Sequence, residues 1–269
     1  MHPVLLDLGF FQLRTYGVLV TLGVLLGVWF AAKHLKRFGI PENKVWDVAV
    51  YAMVFGIVGA RLAFVIQHWS YFQNHIDEIF KVWEGGLTFY GVLLGVIPIL
   101  WAIWRYRWSF WAVLDATIPG VTLGIAIGRW GCFFNGCCYG KPTDLPWGVV
   151  YPEHSEPHLQ FGGVPVHPSQ IYESVGDAVL FLLYLYLLKQ YGHRRPGVVG
   201  AVALIFTPLV RFLVDFTRAY EPNAYILGLT FNQWIALALM ILGVLLLLYR
   251  WKAGDGLKEG SDPKTSGRA

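Results

Sequence analysis

Residues 128–140 read GRWGCFFNGCCYG, gathering an arginine, three cysteines, an asparagine and four glycines into one short stretch. An apolar run, Val113 to Ile127, leads into it and is broken mainly by Asp115. Arg129 therefore ends a segment that reads as membrane-buried, where a cation is costly unless it meets an anion or water. Arg61 and Arg211 also lie inside apolar stretches, as do Glu173, Asp177 and Asp215. A guanidinium is a planar, permanently charged fork that matches a phosphate bidentately, and each such contact gains strength when desolvated. The chemistry these residues suit is therefore the binding of a phosphate-bearing group close to a membrane surface. The plainer alternative is a set of internal ion pairs that fix helix packing; Arg211 and Asp215 stand i, i+4, on one helix face.

The elements that must position these groups follow from the composition. The chain of 269 residues is 56% hydrophobic and 14% charged, against about 25% charged in soluble domains. Several apolar runs approach the roughly 20 residues that span a hydrocarbon core. The expected fold is all-α, a polytopic membrane protein with seven transmembrane helices near 15–35, 46–67, 87–104, 110–132, 170–188, 197–217 and 229–249. Residues 1–252 form the membrane domain, with an outer loop at 133–166 that reads as a lid or rim, and 253–269 read as a polar, disordered cytoplasmic tail. The N-terminus has no basic region or cleavage site typical of a signal peptide.

Lysines and arginines set the orientation. Lys33, Lys36, Arg37, Lys44, Arg105, Arg107, Lys189, Arg194, Arg195 and the five basic residues from Arg250 onward fall on one side. Arg14, Lys81, Lys141 and Arg218 fall on the other, which places the N-terminus outside and the C-terminus in the cytoplasm. Arg61 and Arg211 then lie six residues before the outer ends of their spans, a depth of roughly 9 Å. Arg129 falls near the outer end of span four, and Glu173 and Asp177 in the first turns of span five. The charges share one level under the outer surface. Asp115, near the opposite side, either reaches headgroups or caps a helix. Residues 68–84 have the three- and four-residue apolar spacing of an interfacial helix, with Trp69, Phe72, Ile76, Ile79, Phe80 and Trp83 on one face. His154 and His158 stand four apart, but Pro152 and Pro157 argue against a regular helix, so they give little support to a metal site.

Several blocks together resemble the bacterial prolipoprotein diacylglyceryl transferase family. Its signature G-R-x-G-N-F-x-N-x-E-x-x-G is matched in register by Gly128, Arg129, Gly131, Phe133, Asn135 and Gly140. Further matches are R-x-Y-G at Arg14 to Gly17, G-A-R at Gly59 to Arg61, and G-G-L-T-F at Gly85 to Phe89. H-P-S-Q-x-Y-E runs from His167 to Glu173, R-F-x-x-[DE]-F-x-R from Arg211 to Arg218, and Gln233 opens span seven. The resemblance implies transfer of the diacylglyceryl group of phosphatidylglycerol to the lipobox cysteine thiol of a prolipoprotein, leaving a thioether and releasing glycerol phosphate. It places the protein in the bacterial inner membrane, with the active site near the outer, periplasmic leaflet. It implies no metal, organic cofactor or nucleic-acid partner. By matching position, Arg129 binds the headgroup, Arg211 is the second essential cation, Tyr16 shapes the headgroup pocket and Asp215 orients Arg211. Arg61, Asn135, Gly140, Gln170 and Glu173 complete the binding set.

Three positions depart from the family pattern. Cys132 and Cys137 stand where the family has asparagine and glutamate, and Tyr90 replaces a histidine proposed as general base. An unperturbed tyrosine, near pKa 10, is a poor base at neutral pH; Tyr90, His167, or the arginines alone remain as ways to form the acceptor thiolate. On the oxidising side of the membrane Cys132 could pair with Cys137 or Cys138, leaving one thiol. The acceptor supplies the reacting thiol, so none of the three is expected to act as nucleophile. The rival readings are a paralogue acting on another lipid donor or acceptor, and an anion or lipid transporter. A transporter usually keeps its site near the midplane between repeated halves, whereas here the charges lie at the outer level and no repeat is evident.

Overall fold

The structure, a computed structural model, describes residues 4–7, 12–81, 88, 91, 93–221 and 224–256. Among these residues the long elements are α1 (Thr15–Leu35), α2 (Glu42–Gln67), a short α3 (Trp69–Phe72), α4 (Val96–Arg105) and α5 (Phe110–Asn135). They are followed by a short α6 (Glu156–Phe161), α7 (Ser169–Tyr191), α8 (Val198–Asp215) and α9 (Phe231–Gly256). Two small antiparallel hairpins, β1 (Val4–Asp7) with β2 (Gln12–Arg14) and β3 (Tyr225–Ile226) with β4 (Leu229–Thr230), interrupt the otherwise helical chain. In the second, Leu227 and Gly228 both take positive φ, 50° and 82°, the turn geometry that suits the twist of a two-residue hairpin.

Six helices are long and apolar enough to cross a membrane: α1, extended by a 3-10 turn to Phe38, then α2, α5, α7, α8 and α9. Among the described residues, the helix within the expected third span is shorter. It comprises a 3-10 turn at Leu93–Gly95 and α4. The ten residues of α4 rise about 15 Å, half of a hydrocarbon core. Residues 82–87, 89, 90 and 92, which include Tyr90 and most of the G-G-L-T-F block, lie outside the described residues. The expected interfacial helix at 68–84 is also broken. α3 ends at Phe72, and a separate 3-10 turn occupies Ile76–Phe80.

The chain divides into two compact units. One comprises Met1–Ala31 with Leu114–Ala269, and the other Ala32–Val113. In the first, α1 and α5 approach through glycine. A Cβ built on Gly27 would lie 2.7 Å from the Gly120 carbonyl oxygen, and one on Gly120 only 2.3 Å from that of Gly27. Gly23 and Gly124 meet in the same way one turn along. Without a hydrophobic drive between helices in lipid, such close backbone contact is a main source of association. α8 packs against both α7 and α9. Asp115 is fully buried and caps α8 from α5: its carboxylate accepts the Gly197 N–H at 2.7 Å and the Gly200 N–H at 2.8 Å. Of the two expectations for Asp115, capping is the one realised, and the helix capped is a neighbouring one. The carboxylate satisfies donors that a helix start otherwise leaves orphaned.

In the second unit, α2 packs on the 93–105 segment through Gly59, Gly91 and Gly95, with a Cβ on Gly95 meeting the Ala52 carbonyl at 2.6 Å. The large residues of α2 that face outward, among them Val50, Val54, Ile57 and Val58, are apolar. α9 is alike, with Ile241, Leu245 and Leu248 exposed and Gln233 buried. An apolar outer face and polar interior are what a lipid solvent demands.

Replacing Gly120 by valine puts three carbons where the Gly27 backbone already stands. The expected result is loss of the folded protein, read as a collapse of the monodisperse peak in detergent size-exclusion chromatography. A normal peak and melting temperature would mean that α1 and α5 do not need this contact.

Candidate active site

Arg129 lies two turns from the end of α5, Glu173 on the second turn of α7, and Arg211 near the end of α8. The sequence separates them by more than eighty residues, and the first unit brings them together. Glu173 sits between the two cations: Arg129 Nη2 meets its Oε1 at 2.6 Å, and Arg211 Nη1 meets its Oε2 at 3.0 Å. Arg211 also turns its Nη2 to Asp215 Oδ1 at 3.0 Å and to the Tyr220 hydroxyl at 2.9 Å. The i, i+4 pair expected within α8 is therefore present, but as one edge of a larger network.

Asp215 is held from every side. Tyr220 donates its hydroxyl to Oδ1 at 2.8 Å and Thr230 donates to Oδ2 at 2.6 Å. Gln233 accepts the Thr230 N–H at 2.9 Å and donates to the Phe212 carbonyl at 3.2 Å. A buried carboxylate is tolerable only with such partners. Arg129 and Arg211 keep 21% and 24% of their side-chain surface open, against 7% for Glu173 and none for Asp215. The anions are thus sealed within the helices, while each cation retains a face for another anion. Asp177, one turn below Glu173, is also buried.

The loop after α5 is tied to the starts of α7 and the end of α8 by a small ribbon. Gly140 N–H donates to the His167 carbonyl at 3.0 Å, His167 N–H to that of Lys141 at 3.0 Å, and Lys141 N–H to that of Thr217 at 2.8 Å. A Cβ on Gly140 would lie 2.5 Å from His167 Cβ, so only glycine lets the strands approach. Ser169 and Thr217 hydroxyls add a 2.8 Å bond. Gln170 donates to the Cys137 carbonyl at 2.8 Å and to the Tyr151 hydroxyl at 2.9 Å, while its Oε1 is buried without a partner among the described residues. Burial pushes the Tyr151 phenol up to about 12, so it acts as a neutral hydrogen-bonding group. His167 presents Nδ1 to the Tyr172 hydroxyl at 3.3 Å, and Tyr172 accepts from Trp147 at 2.8 Å. α6 corrects the reading of residues 152–158: Pro157 opens a short helix in its first turn, where no intrahelical donor is lost. His158 is engaged with the Tyr151 carbonyl at 3.1 Å.

Of the remaining expected residues, Tyr16 opens α1 against Gly131, where an added Cβ would come within 3.2 Å of its ring, and it is 42% exposed. Asn135 ends α5 and is exposed. Arg61 belongs to the second unit, where its Nε donates to the Ile79 carbonyl at 2.9 Å and its Nη2 to that of Glu78, with Phe64 and Phe72 rings under the guanidinium. Arg61 thus ties α2 to the turn at Ile76–Phe80. The three cysteines are unpaired in the structure, with Cys132 buried and Cys137 and Cys138 half-buried.

Arg218 is expected among the outer-surface charges. Its guanidinium instead lies against the Cys138 sulfur and over the Tyr220 ring, 5.5 Å from the centroid, with a buried Nε that has no partner among the described residues. Burial opposes its charge, and the neighbouring Cys138, Tyr220 and Glu173 hold it protonated. The available signal was its place at the end of the R-F-x-x-[DE]-F-x-R block. Tyr220 and Thr230 had no comparable signal, because loop residues reach the network only through the fold. Removing the shared anion with Glu173→Gln leaves two buried-side cations without their partner and should cost on the order of 3 kcal/mol, read as a lower melting temperature in detergent. An unchanged melting curve would mean that Glu173 is not the structural centre.

Similarity to known proteins agrees with this arrangement. A family model described as prolipoprotein diacylglyceryl transferase matches residues 3–249. A protein of Thermosynechococcus vestitus named phosphatidylglycerol–prolipoprotein diacylglyceryl transferase is 35% identical over 261 residues, covering 96% of each chain. Proteins of the same name from Cupriavidus metallidurans and Finegoldia magna are 33% and 37% identical, covering 94% and 86% of this chain and 95% and 88% of their own. With Arg129, Glu173 and Arg211 meeting in one network and the match running through nearly the whole sequence, the chain is a member of the prolipoprotein diacylglyceryl transferase family.

Proposed function

We propose that this protein moves the diacylglyceryl group of phosphatidylglycerol onto the lipobox cysteine thiol of a prolipoprotein, as a transferase of the inner membrane. Family membership supports the reaction. The observation that carries the assignment to this site is the pair of arginines sharing Glu173, each with a free face, beside an Arg218 Nε that lacks an acceptor among the described residues. The seven-span topology completes the proposal: the 93–105 segment with the residues before it makes the third span, the N-terminus is outside, and the site opens to the periplasmic leaflet. The charge asymmetry of the loops supports that orientation.

In the reaction the acceptor sulfur attacks the glyceryl carbon bonded to the phosphate oxygen. A C–S bond forms, the C–O bond breaks with its electron pair on oxygen, and glycerol phosphate leaves. Arg129 and Arg211 hold the phosphate and absorb the charge that grows on the leaving oxygen, in a setting too dry to screen them. Glu173 and Asp215 fix where the two forks point, so little reorganisation accompanies the step. Tyr16, Asn135 and Gln170 bond the glycerol headgroup. Gly140 keeps the 139–143 ribbon close to His167. The thiol proton passes to Tyr90 or His167.

A reconstituted assay with phosphatidylglycerol vesicles and a lipobox peptide, followed by peptide mass, tests the proposal. Wild-type protein should add one diacylglyceryl mass, and Arg129→Ala should lower the rate on the order of a hundredfold or more while remaining inserted. Full activity in that variant would remove Arg129 from the chemistry, and no increment with intact wild-type protein would point to another lipid donor. Arg211→Lys keeps the charge but loses the fork, and should slow turnover by about tenfold to a hundredfold, the loss of one charge-assisted hydrogen bond. Wild-type rates there would confine Arg211 to packing.

A further inference from the structure

The transfer reaction leaves Cys132, Cys137 and Cys138 without a task, yet the fold gathers them. Cys132 lies in the last turn of α5 and the other two in the loop that follows. Their Sγ atoms all lie within 4.8 Å of one another. Around a tetrahedral zinc ion with Zn–S near 2.3 Å, thiolate sulfurs stand about 3.8 Å apart. One ion therefore fits inside this triangle with small side-chain adjustments.

The backbone is built to hold the triangle. Gly136 takes φ of 75°, and Cys137 N–H returns to the Cys132 carbonyl at 3.1 Å. Gln170, itself buried, anchors the Cys137 carbonyl at 2.8 Å. Cys138 adopts φ of 62°, a left-handed conformation that is uncommon outside glycine, and it keeps its sulfur with the other two. Three thiolates around a dication would carry a net charge of −1, and the Arg218 guanidinium lies beside the Cys138 sulfur. No histidine, aspartate or glutamate joins the group among the described residues. Three protein ligands with a fourth position left over is the pattern of catalytic rather than closed structural zinc sites.

We propose that Cys132, Cys137 and Cys138 bind one thiophilic divalent ion of the zinc class as three thiolates, with the fourth position open to an exogenous thiol. On binding, three S–H protons pass to solvent and no electrons are exchanged. A thiol entering the fourth position loses its proton to become a ligand. On the reading given above, that thiol is the acceptor cysteine, and the ion would supply the thiolate.

The test is metal stoichiometry on the full-length protein, purified under reducing conditions, loaded with zinc chloride and desalted. One equivalent of zinc is expected, and cobalt substitution should give the sulfur-to-cobalt charge-transfer bands of a thiolate site. Adding a cysteine peptide should shift those bands, and its serine counterpart should not. Cys137→Ser should weaken zinc binding by more than the roughly 10–100-fold that loss of an outer-shell partner causes, with an unchanged melting curve confirming the fold. Less than a tenth of an equivalent of zinc in reduced protein (roughly, against the one ion per chain expected of a closed or open site), or equal binding by Cys137→Ser, would overturn the site. So would a disulfide among the three that persists in freshly isolated protein. Bands that ignore the peptide would overturn the open fourth position. Because metal content is read without any lipid, these results are independent of whether the transfer assay succeeds.

Discussion

The structure depends on one carboxylate in an apolar setting. Glu173 is almost sealed and touches both Arg129 and Arg211. Placing charges at this depth is expensive, and the cost is offset only if every charge has a partner of good geometry. That condition fixes the relative positions of α5, α7 and α8 more tightly than apolar contact can, since lipid competes equally well for apolar side chains. The same condition explains the second layer, in which Tyr220 and Thr230 hold Asp215 and Gln233 holds Thr230.

The arrangement separates roles by exposure. The acids are buried and anchor the network, while the arginines keep an open face. Their guanidinium groups are oriented by the acids rather than by solvent, a preorganised field. The loop ribbon through Gly140, His167 and Thr217 contributes stiffness where loops usually move, because each of its strands is bonded to another part of the chain. Asp115 does similar work at the other end of α5, where it fixes the start of α8 through two backbone donors.

Glycine takes the part that large side chains play in soluble cores. Gly23, Gly27, Gly120 and Gly124 bring α1 and α5 to backbone contact, and Gly59, Gly91 and Gly95 do so for α2 and its neighbour. These positions are visible in the sequence as glycines, but nothing in their spacing says which helix each one meets. The short α4 and the broken segment after α2 were equally unreadable. The apolar periodicity after α2 runs on past Phe72, yet the helix stops there and the following turn is held by Arg61 through the carbonyls of Glu78 and Ile79.

The sequence by itself determined the class: apolar runs of membrane length, their approximate ends, and arginines and acids too costly to be incidental. It also carried the family blocks, since those are local strings such as residues 128–140, 167–173 and 211–218. Tertiary structure alone decided which charges meet. Periodicity and hydropathy report what a residue does to its own helix, whereas the pairing of Arg129 with Glu173, the tie between Arg61 and the turn at Ile76–Phe80, the inward turn of Arg218 and the gathering of three thiols depend on contacts between segments distant in sequence or on a loop's exact path. Those contacts are set by the need to satisfy every buried polar group at once, a condition on the folded whole that no single stretch of sequence can express.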